Sequence, residues 1–255
     1  MWNAEQYLRF ETERARPFFD LVAAIEHPHP RMVADLGCGP GGLTATLLAR
    51  WPDAVIWGID ESDEMIDHAR RRAVIDRLRF ERADVSRWQP PGPLDVILSN
   101  ACFQWIPDHD KLLDRLVPQL AEGGWLAFQV PNNFEAPSHE AVRDVTADEE
   151  WADRLRDVVQ AAVQRPEWYV ERLSGRGLTV SAWEVIYYHV LHGDTPVLDW
   201  LLGTTLRPLL EHLDGNQQAR FLDELSARLA AAYPALSIGT VFPFRRMFVV
   251  AKAPA

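Results

Sequence analysis

The sequence predicts an α/β fold in which helices cover both faces of a mostly parallel sheet. Three observations lead there. Between Met32 and Pro131 short β-branched runs alternate with amphipathic stretches, the sequence form of a sheet wound by helices. The runs are nearly continuous in apolar residues rather than alternating, as expected of strands buried on both sides. The first run also feeds a glycine-rich turn, DLGCGPGG at 35–42, that opens into a helical stretch, the kind of junction where such sheets bind ligands.

Taken in order, the chain opens with a helix on which Tyr7, Phe10, Phe18, Leu21 and Ile25 recur at helical spacing, with Arg14 on the same stripe. MVADLG, AVIWGID, LRFERAD, LDVILSN and WLAFQVP then read as five strands. QPPGP at 89–93 marks a loop entering the fourth. Beyond Pro131 the pattern turns helical from about Ser138 to Gln164, and a strand-like TVSAWEVIYYHVL follows. Helices around Val197–Leu202 and Gln217–Tyr233 and a last strand, VFPFRRMFVVAKA, complete the sheet. There is no internal repeat or low-complexity segment.

Composition narrows the class. A length of 255 residues suits one α/β domain with additions, and a 47% hydrophobic share with ten tryptophans supplies a sizeable core. The formal charge of -11 repels nucleic-acid phosphates and anionic lipid, and no concentrated basic patch offsets it. A small-molecule partner is expected, with no nucleic acid and no membrane. Cys38 and Cys102 stand far apart without CxxC or His-rich spacing, which argues against a disulfide framework and a zinc site. No acidic metal cluster is visible either. The N-terminus is charged throughout and lacks the apolar core of a signal peptide, and no run is long enough to span a bilayer. A soluble cytoplasmic protein is expected.

The glycine turn carries the first chemistry. Gly37, Gly39 and Gly41 permit a tight bend and close approach of a ligand to the backbone. Glycines alone are weak evidence, because Gly37, Gly39 and Gly42 also satisfy the GxGxxG of dinucleotide binders. Asp35 discriminates. Its carboxylate, two residues before the first glycine, would repel a pyrophosphate in a partly desolvated pocket. A ligand with an ammonium and a sulfonium but no phosphate gains from that anion, and S-adenosylmethionine is such a ligand. Asp60 ends the second strand nineteen residues beyond Gly41, the spacing at which an acid reaches ribose hydroxyls. Ser62 is placed to N-cap the next helix, and Met65, in its first turn, offers an apolar side chain to a purine. Asp84 ends the third strand where it would accept the adenine amino group, with the Val85 backbone beside the ring. Met65 also suits plain core packing, and Trp88 reads as packing.

In this order DLGCGPGG, GID, AD and LDVILSNACFQW resemble the motifs of the class I S-adenosylmethionine-dependent methyltransferases over the first half of the chain. The resemblance implies a Rossmann-like seven-stranded sheet with an antiparallel last hairpin and a helical lid. It implies S-adenosyl-L-methionine as cofactor and S-adenosyl-L-homocysteine as product, with Asn100 among the cofactor residues. The expected organisation is one methyltransferase domain over 1–255: a helical lid segment at 1–30, a cofactor-binding half at 31–131, and substrate-side helices with closing strands at 132–255.

The acceptor is read from the second half. The fourth strand delivers SNACFQWIPDH without the Asn-Pro-Pro-Tyr of amino-group enzymes, so oxygen or carbon is the expected acceptor. Along the last strand Phe242, Phe244, Arg246, Phe248 and Val250 alternate onto one face, and Arg246 interrupts a core run. A buried arginine needs an anion. Arg14, beside Tyr7 and Phe10, and Arg207, in GTTLRPLL, repeat the theme, and guanidinium forks pair bidentately with carboxylates. Each alone also fits an internal salt bridge. His109 and His139 read as caps or surface residues.

YLRFETERARP, SNACFQWIPDH, QVPNNFEAPSH, YYHVL, GTTLRPLL and PFRRMFVVA together resemble the trans-aconitate 2-methyltransferase family along nearly the whole chain. The departures are GGLT after the glycine loop, where a polar GNST-like sequence is usual, and Arg245, where a proline often stands. The resemblance implies monomethyl esterification of trans-aconitate, a small polycarboxylate, in the cytoplasm. Arg14, Arg207 and Arg246 would hold the non-reacting carboxylates, while Tyr7, Gln104, Trp105, Asn132 and Tyr188 line the site. A carboxylate is already ionised near neutral pH, so no essential general base is expected and no residue is singled out as catalytic. Three alternatives stay open on sequence: a methyltransferase for another acid or a malonyl-carrier substrate, an NAD-type oxidoreductase, and a silent cofactor-binding module.

Overall fold

The computed structural model describes residues 11–156, 158 and 163–255, with side chains from residue 15 onward. Helix α1 (Glu11–Ala23) leads into β1 (Met32–Leu36), α2 (Gly42–Arg50), β2 (Val55–Asp60), α3 (Asp63–Arg70), β3 (Leu78–Arg82) and β4 (Leu94–Asn100). A 3-10 turn at Phe103–Trp105, α4 (His109–Leu116), a second turn at Val117–Gln119 and β5 (Leu120–Pro131) follow. The remainder is α5 (Pro137–Ala147), α6 (Glu149–Leu155), α7 (Pro166–Ser174), β6 (Thr179–Leu191), α8 (Pro196–Leu202), α9 (Arg207–Leu210), α10 (Gly215–Ala232) and β7 (Thr240–Lys252).

Seven strands form one sheet in the order β3-β2-β1-β4-β5-β7-β6. Strands β1 to β5 are mutually parallel, with β1 flanked by β2 and β4. Because the chain leaves β1 toward one side of the sheet and later adds β4 on the other, the loops after these two strands part at a topological switch point. That is where the glycine turn and the SNACFQW segment emerge. Residues 94 and 96–99 of β4 are all buried, which explains an apolar run with no alternation.

Contacts divide the chain into two compact units. One comprises residues 15–130, 163–185 and 247–255 and the other the described parts of 1–14, 131–162 and 186–246. Each has its own core. The first buries Ala34, Leu36, Ile97, Phe103, Phe128, Tyr169 and Met247 around the sheet, and the second buries Trp151, Trp200, Leu201, Phe221, Leu225 and Phe242. The helical run expected from Ser138 to Gln164 is broken in two, because Asp148 turns to an extended ψ of 145° between α5 and α6. Its carboxylate receives Arg228 at 2.9 Å.

Candidate active site

In the first unit the glycine turn is built by exclusion of side chains. The Gly37 and Cys38 N–H groups both donate to the Ile59 carbonyl, at 2.8 and 2.9 Å, pinning the exit of β1 to β2. At Gly37, with φ of 81°, a Cβ would sit 2.4 Å from Cys102 Cβ; at Gly41, with φ of 74°, it would lie 2.7 Å from the Phe80 ring. Gly39 has φ of 54° but meets nothing within 4 Å, so its surface is the open one. Asp60 spans the turn and the start of α3: its two oxygens accept the Gly39 N–H at 2.9 Å and the Ser62 N–H at 3.0 Å. Each oxygen retains acceptor capacity for a ligand. Ser62 caps α3 by accepting the Met65 N–H at 3.4 Å, and Met65 is half-buried.

Asp35 lies beneath the turn, 2% exposed, and accepts the Thr44 hydroxyl at 2.6 Å. Burial, reinforced by Asp60, pushes its carboxyl up to about 7 against the opposing Thr44 bond. A cation placed there would be stabilised strongly, and a second anion repelled. Burial and the neighbouring acids also raise the thiols, Cys102 to about 12, so neither cysteine is a nucleophile near neutral pH.

Asp84 accepts the Ser86 N–H at 2.8 Å and hydroxyl at 2.6 Å and faces Arg87 at 3.4 Å. The Ser86 bonds are the main reason its carboxyl is held below the ordinary range. The Val85 carbonyl accepts from Arg115, whose other nitrogen reaches the Trp88 carbonyl. Trp88 is core, as its sequence context suggests.

At the end of β4, Ala101 takes φ of 56°, uncommon for a residue with a Cβ. Its N–H donates to the Gln129 carbonyl at 2.9 Å, while Asn100 Oδ1 accepts Gln129 Nε2 at 2.7 Å. Gln104 is buried and donates Nε2 to the Ala101 carbonyl at 2.7 Å, which leaves Oε1 without a partner among the described residues. What Gln104 can offer a ligand is therefore an acceptor. Trp105 is half-exposed.

Two histidines depart from expectation. His109 is neither a cap nor a surface residue: Asp108 caps α4, and His109 is buried. Its Nε2–H donates to the Phe103 carbonyl at 2.8 Å, so Nδ1 must accept, and Tyr169 Oη–H donates to it. Desolvation keeps the ring neutral. His139, in the second unit, is also buried, with its pKa lowered to about 4 by burial and Arg143. Its ring nitrogens lie 3.3 Å from Ser138 Oγ and 3.5 Å from Thr205 Oγ1.

The second unit holds the remaining candidates. Arg246 is 4% exposed, as the strand pattern requires, with its guanidinium 4.8 Å from the Phe244 ring centroid. Arg207, by contrast, is half-exposed and pairs with Glu211 at 3.4 Å, one helical turn on. This i,i+4 pair places Arg207 on the surface rather than among the buried cations. Tyr188 is 68% exposed; Tyr187 and His189 face inward instead, so the expected aromatic is one residue out of strand register. Asn132 is half-buried and its N–H donates to the Arg245 carbonyl at 3.0 Å. The buried amide is its neighbour Asn133, which no sequence signal separates from Asn132. Tyr7 and the side chain of Arg14 lie outside the described residues.

Residues 33–124 match the family model described as a methyltransferase domain. The chain is also similar to trans-aconitate 2-methyltransferases of Mycobacterium sp. (strain KMS), at 49% identity over 99% of both chains, and Mycobacterium tuberculosis, at 44% over 99% of this chain and 97% of that one. The chain belongs to the trans-aconitate 2-methyltransferase family. A Streptomyces coelicolor member is 47% identical over 99% of this chain and 87% of its own. Among solved structures, the YcgJ protein of Bacillus subtilis superposes with a TM-score of 0.61 over 94% of this chain and 99% of that one, at 16% identity. A Haemonchus contortus phosphoethanolamine N-methyltransferase 2 with bound S-adenosylhomocysteine gives 0.58 over 94% and 53%, at 15%. These two share the fold. Among the described residues no helix is long and apolar enough to cross a membrane, and no group of His, Cys, Asp and Glu is arranged to hold a metal.

Proposed function

We propose that the protein transfers the methyl group of S-adenosyl-L-methionine to a carboxylate of trans-aconitate, yielding its monomethyl ester and S-adenosyl-L-homocysteine in the cytoplasm, with the whole chain acting as one methyltransferase domain. The carrying observation is full-length similarity, at 44–49% identity, to relatives that bear this activity in their names.

The first unit fits the cofactor by its donors and acceptors. Asp35, a buried acid, suits the ammonium of the methionine end, which the open surface of Gly39 lets approach. Asp60 retains acceptor capacity for the ribose hydroxyls after bonding Gly39 and Ser62. Asp84 accepts from the adenine amino group. With its carbonyl taken by Arg115, Val85 has its N–H to offer a ring nitrogen. Met65 lies against the purine, Gln104 Oε1 completes the sulfonium end, where an acceptor is wanted and a donor is not, and Asn100 closes the cofactor site at the end of β4.

The cofactor supplies an electrophilic methyl group; a carboxylate oxygen displaces the thioether from it, and no proton moves. The chain's task is to orient and desolvate. Arg246 holds a carboxylate that does not react, since a guanidinium on the attacking group would quench its nucleophilicity. Arg14, with Tyr7, is assigned the other cation position. His109 has both ring nitrogens engaged, Nε2 by the Phe103 carbonyl and Nδ1 by Tyr169, and takes no part in proton transfer.

The test is methyl transfer from labelled cofactor to trans-aconitate beside cis-aconitate, citrate, isocitrate and a malonyl-carrier substrate, with products identified by mass. Selective trans-aconitate monomethyl ester is expected. Transfer to another acid alone would replace the acceptor and keep the methyltransferase.

A further inference from the structure

Asn133 presents a polar group for which the fold has no use. It is 4% exposed, and both Oδ1 and Nδ2 lack a hydrogen-bond partner among the described residues. A buried amide with neither function satisfied is rare in a native protein and calls for a ligand or ordered water. The segment around it is otherwise well bonded. The Asn133 carbonyl accepts the Ala136 N–H at 2.9 Å, and the Ser138 N–H donates to Tyr233 Oη at 3.1 Å. His139 is flanked by Ser138 and Thr205 on its two ring nitrogens. The main chain is thus held while the amide is left over. Its place along the chain is also suggestive: it follows β5 by two residues, beyond the carboxyl end of a strand parallel to β4, where open α/β sheets bind ligands.

We infer that the Asn133 side chain binds the acceptor, its Nδ2 donating to an oxygen of the carboxylate that is methylated. This rests on the function proposed above. An amide differs from a guanidinium in the respect that matters here: it fixes a carboxylate by a directional bond without cancelling its charge. Arginine suits the carboxylates to be held, and asparagine suits the one that must stay nucleophilic while its second oxygen meets the methyl group. Oδ1, which carboxylate oxygens would repel, accepts from a water ordered with the acceptor.

The test compares wild type with Asn133→Leu, which keeps the volume and removes both polar functions, and Asn133→Asp, which keeps the shape and replaces the donor with an acidic acceptor. Three quantities are read: kcat and KM for trans-aconitate, the calorimetric affinity for S-adenosylhomocysteine, and the melting temperature. The Leu variant is expected to melt at or above wild type and to bind S-adenosylhomocysteine within about twofold. Its kcat/KM should fall about 10- to 100-fold, the worth of a hydrogen bond to a charged group, mostly in kcat. The Asp variant should fall further. A Leu variant with unchanged kcat/KM would overturn the assignment. So would loss of fold in both variants, which would make Asn133 structural. Wild-type turnover separates the two claims: without it the acceptor reading fails as well, and with it only the role of Asn133 is at stake.

Discussion

Replacing Asp35 by asparagine removes a buried charge with almost no change of shape, and the structure predicts that stability and cofactor binding will move in opposite directions. The amide oxygen of an asparagine at this position can still accept the Thr44 hydroxyl that Asp35 accepts at 2.6 Å, so the substitution isolates the charge. The carboxyl is raised from 3.8 to about 7, first by burial and second by Asp60. Because the folded pKa lies above the unfolded one, ionisation opposes folding. The penalty is absent below about pH 4, grows as pH rises, and is complete above about 7. Moving a carboxyl over that interval corresponds to about 4 kcal/mol, with about 2 kcal/mol of it expressed near pH 5. At roughly 2–4 °C per kcal/mol for a chain of this size, Asp35→Asn should melt higher than wild type without ligand. The gain should roughly double between about pH 5 and pH 8.

Ligand binding should show the reverse. If the ionised Asp35 faces the cofactor's ammonium, wild-type affinity for S-adenosylmethionine rises with pH up to about 7 and then levels. Asp35→Asn should bind about 10- to 100-fold more weakly, with no such rise. The assays are thermal unfolding of the unliganded proteins at the two pH values and calorimetric titration across the range. Two results would refute the reasoning: a variant that melts lower than wild type at the higher pH, or equal affinities in the two proteins.

Gly37→Ala should lower stability by about 3 kcal/mol, combining a left-handed φ with overpacking, since its Cβ would lie 2.4 Å from Cys102 Cβ; adding Cys102→Gly should recover the overpacking part in thermal melts. Arg246→Met keeps an apolar stem in a buried position and should raise KM for trans-aconitate about 10- to 100-fold. Cofactor affinity should be spared, and unchanged kinetics would remove Arg246 from the site. Tyr188→Ala should leave kcat/KM within about twofold of wild type, as an exposed side chain away from special contacts rarely matters; a large loss would restore Tyr188 to the acceptor site.

Strands β1 and β4 were legible because both of their faces are covered, which writes burial into consecutive residues: VADL of β1 and residues 96–99 of β4 are buried throughout, whereas β3, at the sheet edge, alternates buried and exposed positions. Asp60 and Ser62 were legible for a related reason, since the ends of β2 and α3 coincide with local signals, an apolar run that stops and a serine that caps. The acceptor side was harder. In IYYHVL both faces of β6 carry aromatic or aliphatic residues, so the pattern contains no information about parity and does not favour Tyr187 and His189 over Tyr188. Arg207 was legible in principle, since Glu211 stands four residues on in the sequence, at helical pairing distance.

What sequence could not supply were polar burials completed from afar. The buried His109 is matched by Tyr169, sixty residues away, which donates to its Nδ1, and Asn133 differs from Asn132 only in which way the chain turns after Pro131. Such groups are costly unless matched, so a fold that retains them without a matching group of its own is shaped around something it binds. The two units also bury opposite charges. The first buries an acid, Asp35, suited to a cationic ligand, and the second buries a guanidinium, Arg246, and an unspent amide, Asn133, suited to an anionic one. Methyl transfer to a carboxylate needs that pair of preferences, because it brings a sulfonium and a carboxylate together and ends by neutralising both charges. Either preference alone would fit many enzymes. Their coexistence in one chain ties the buried charges to the proposed reaction, and the Asp35 and Asn133 variants test the two halves separately.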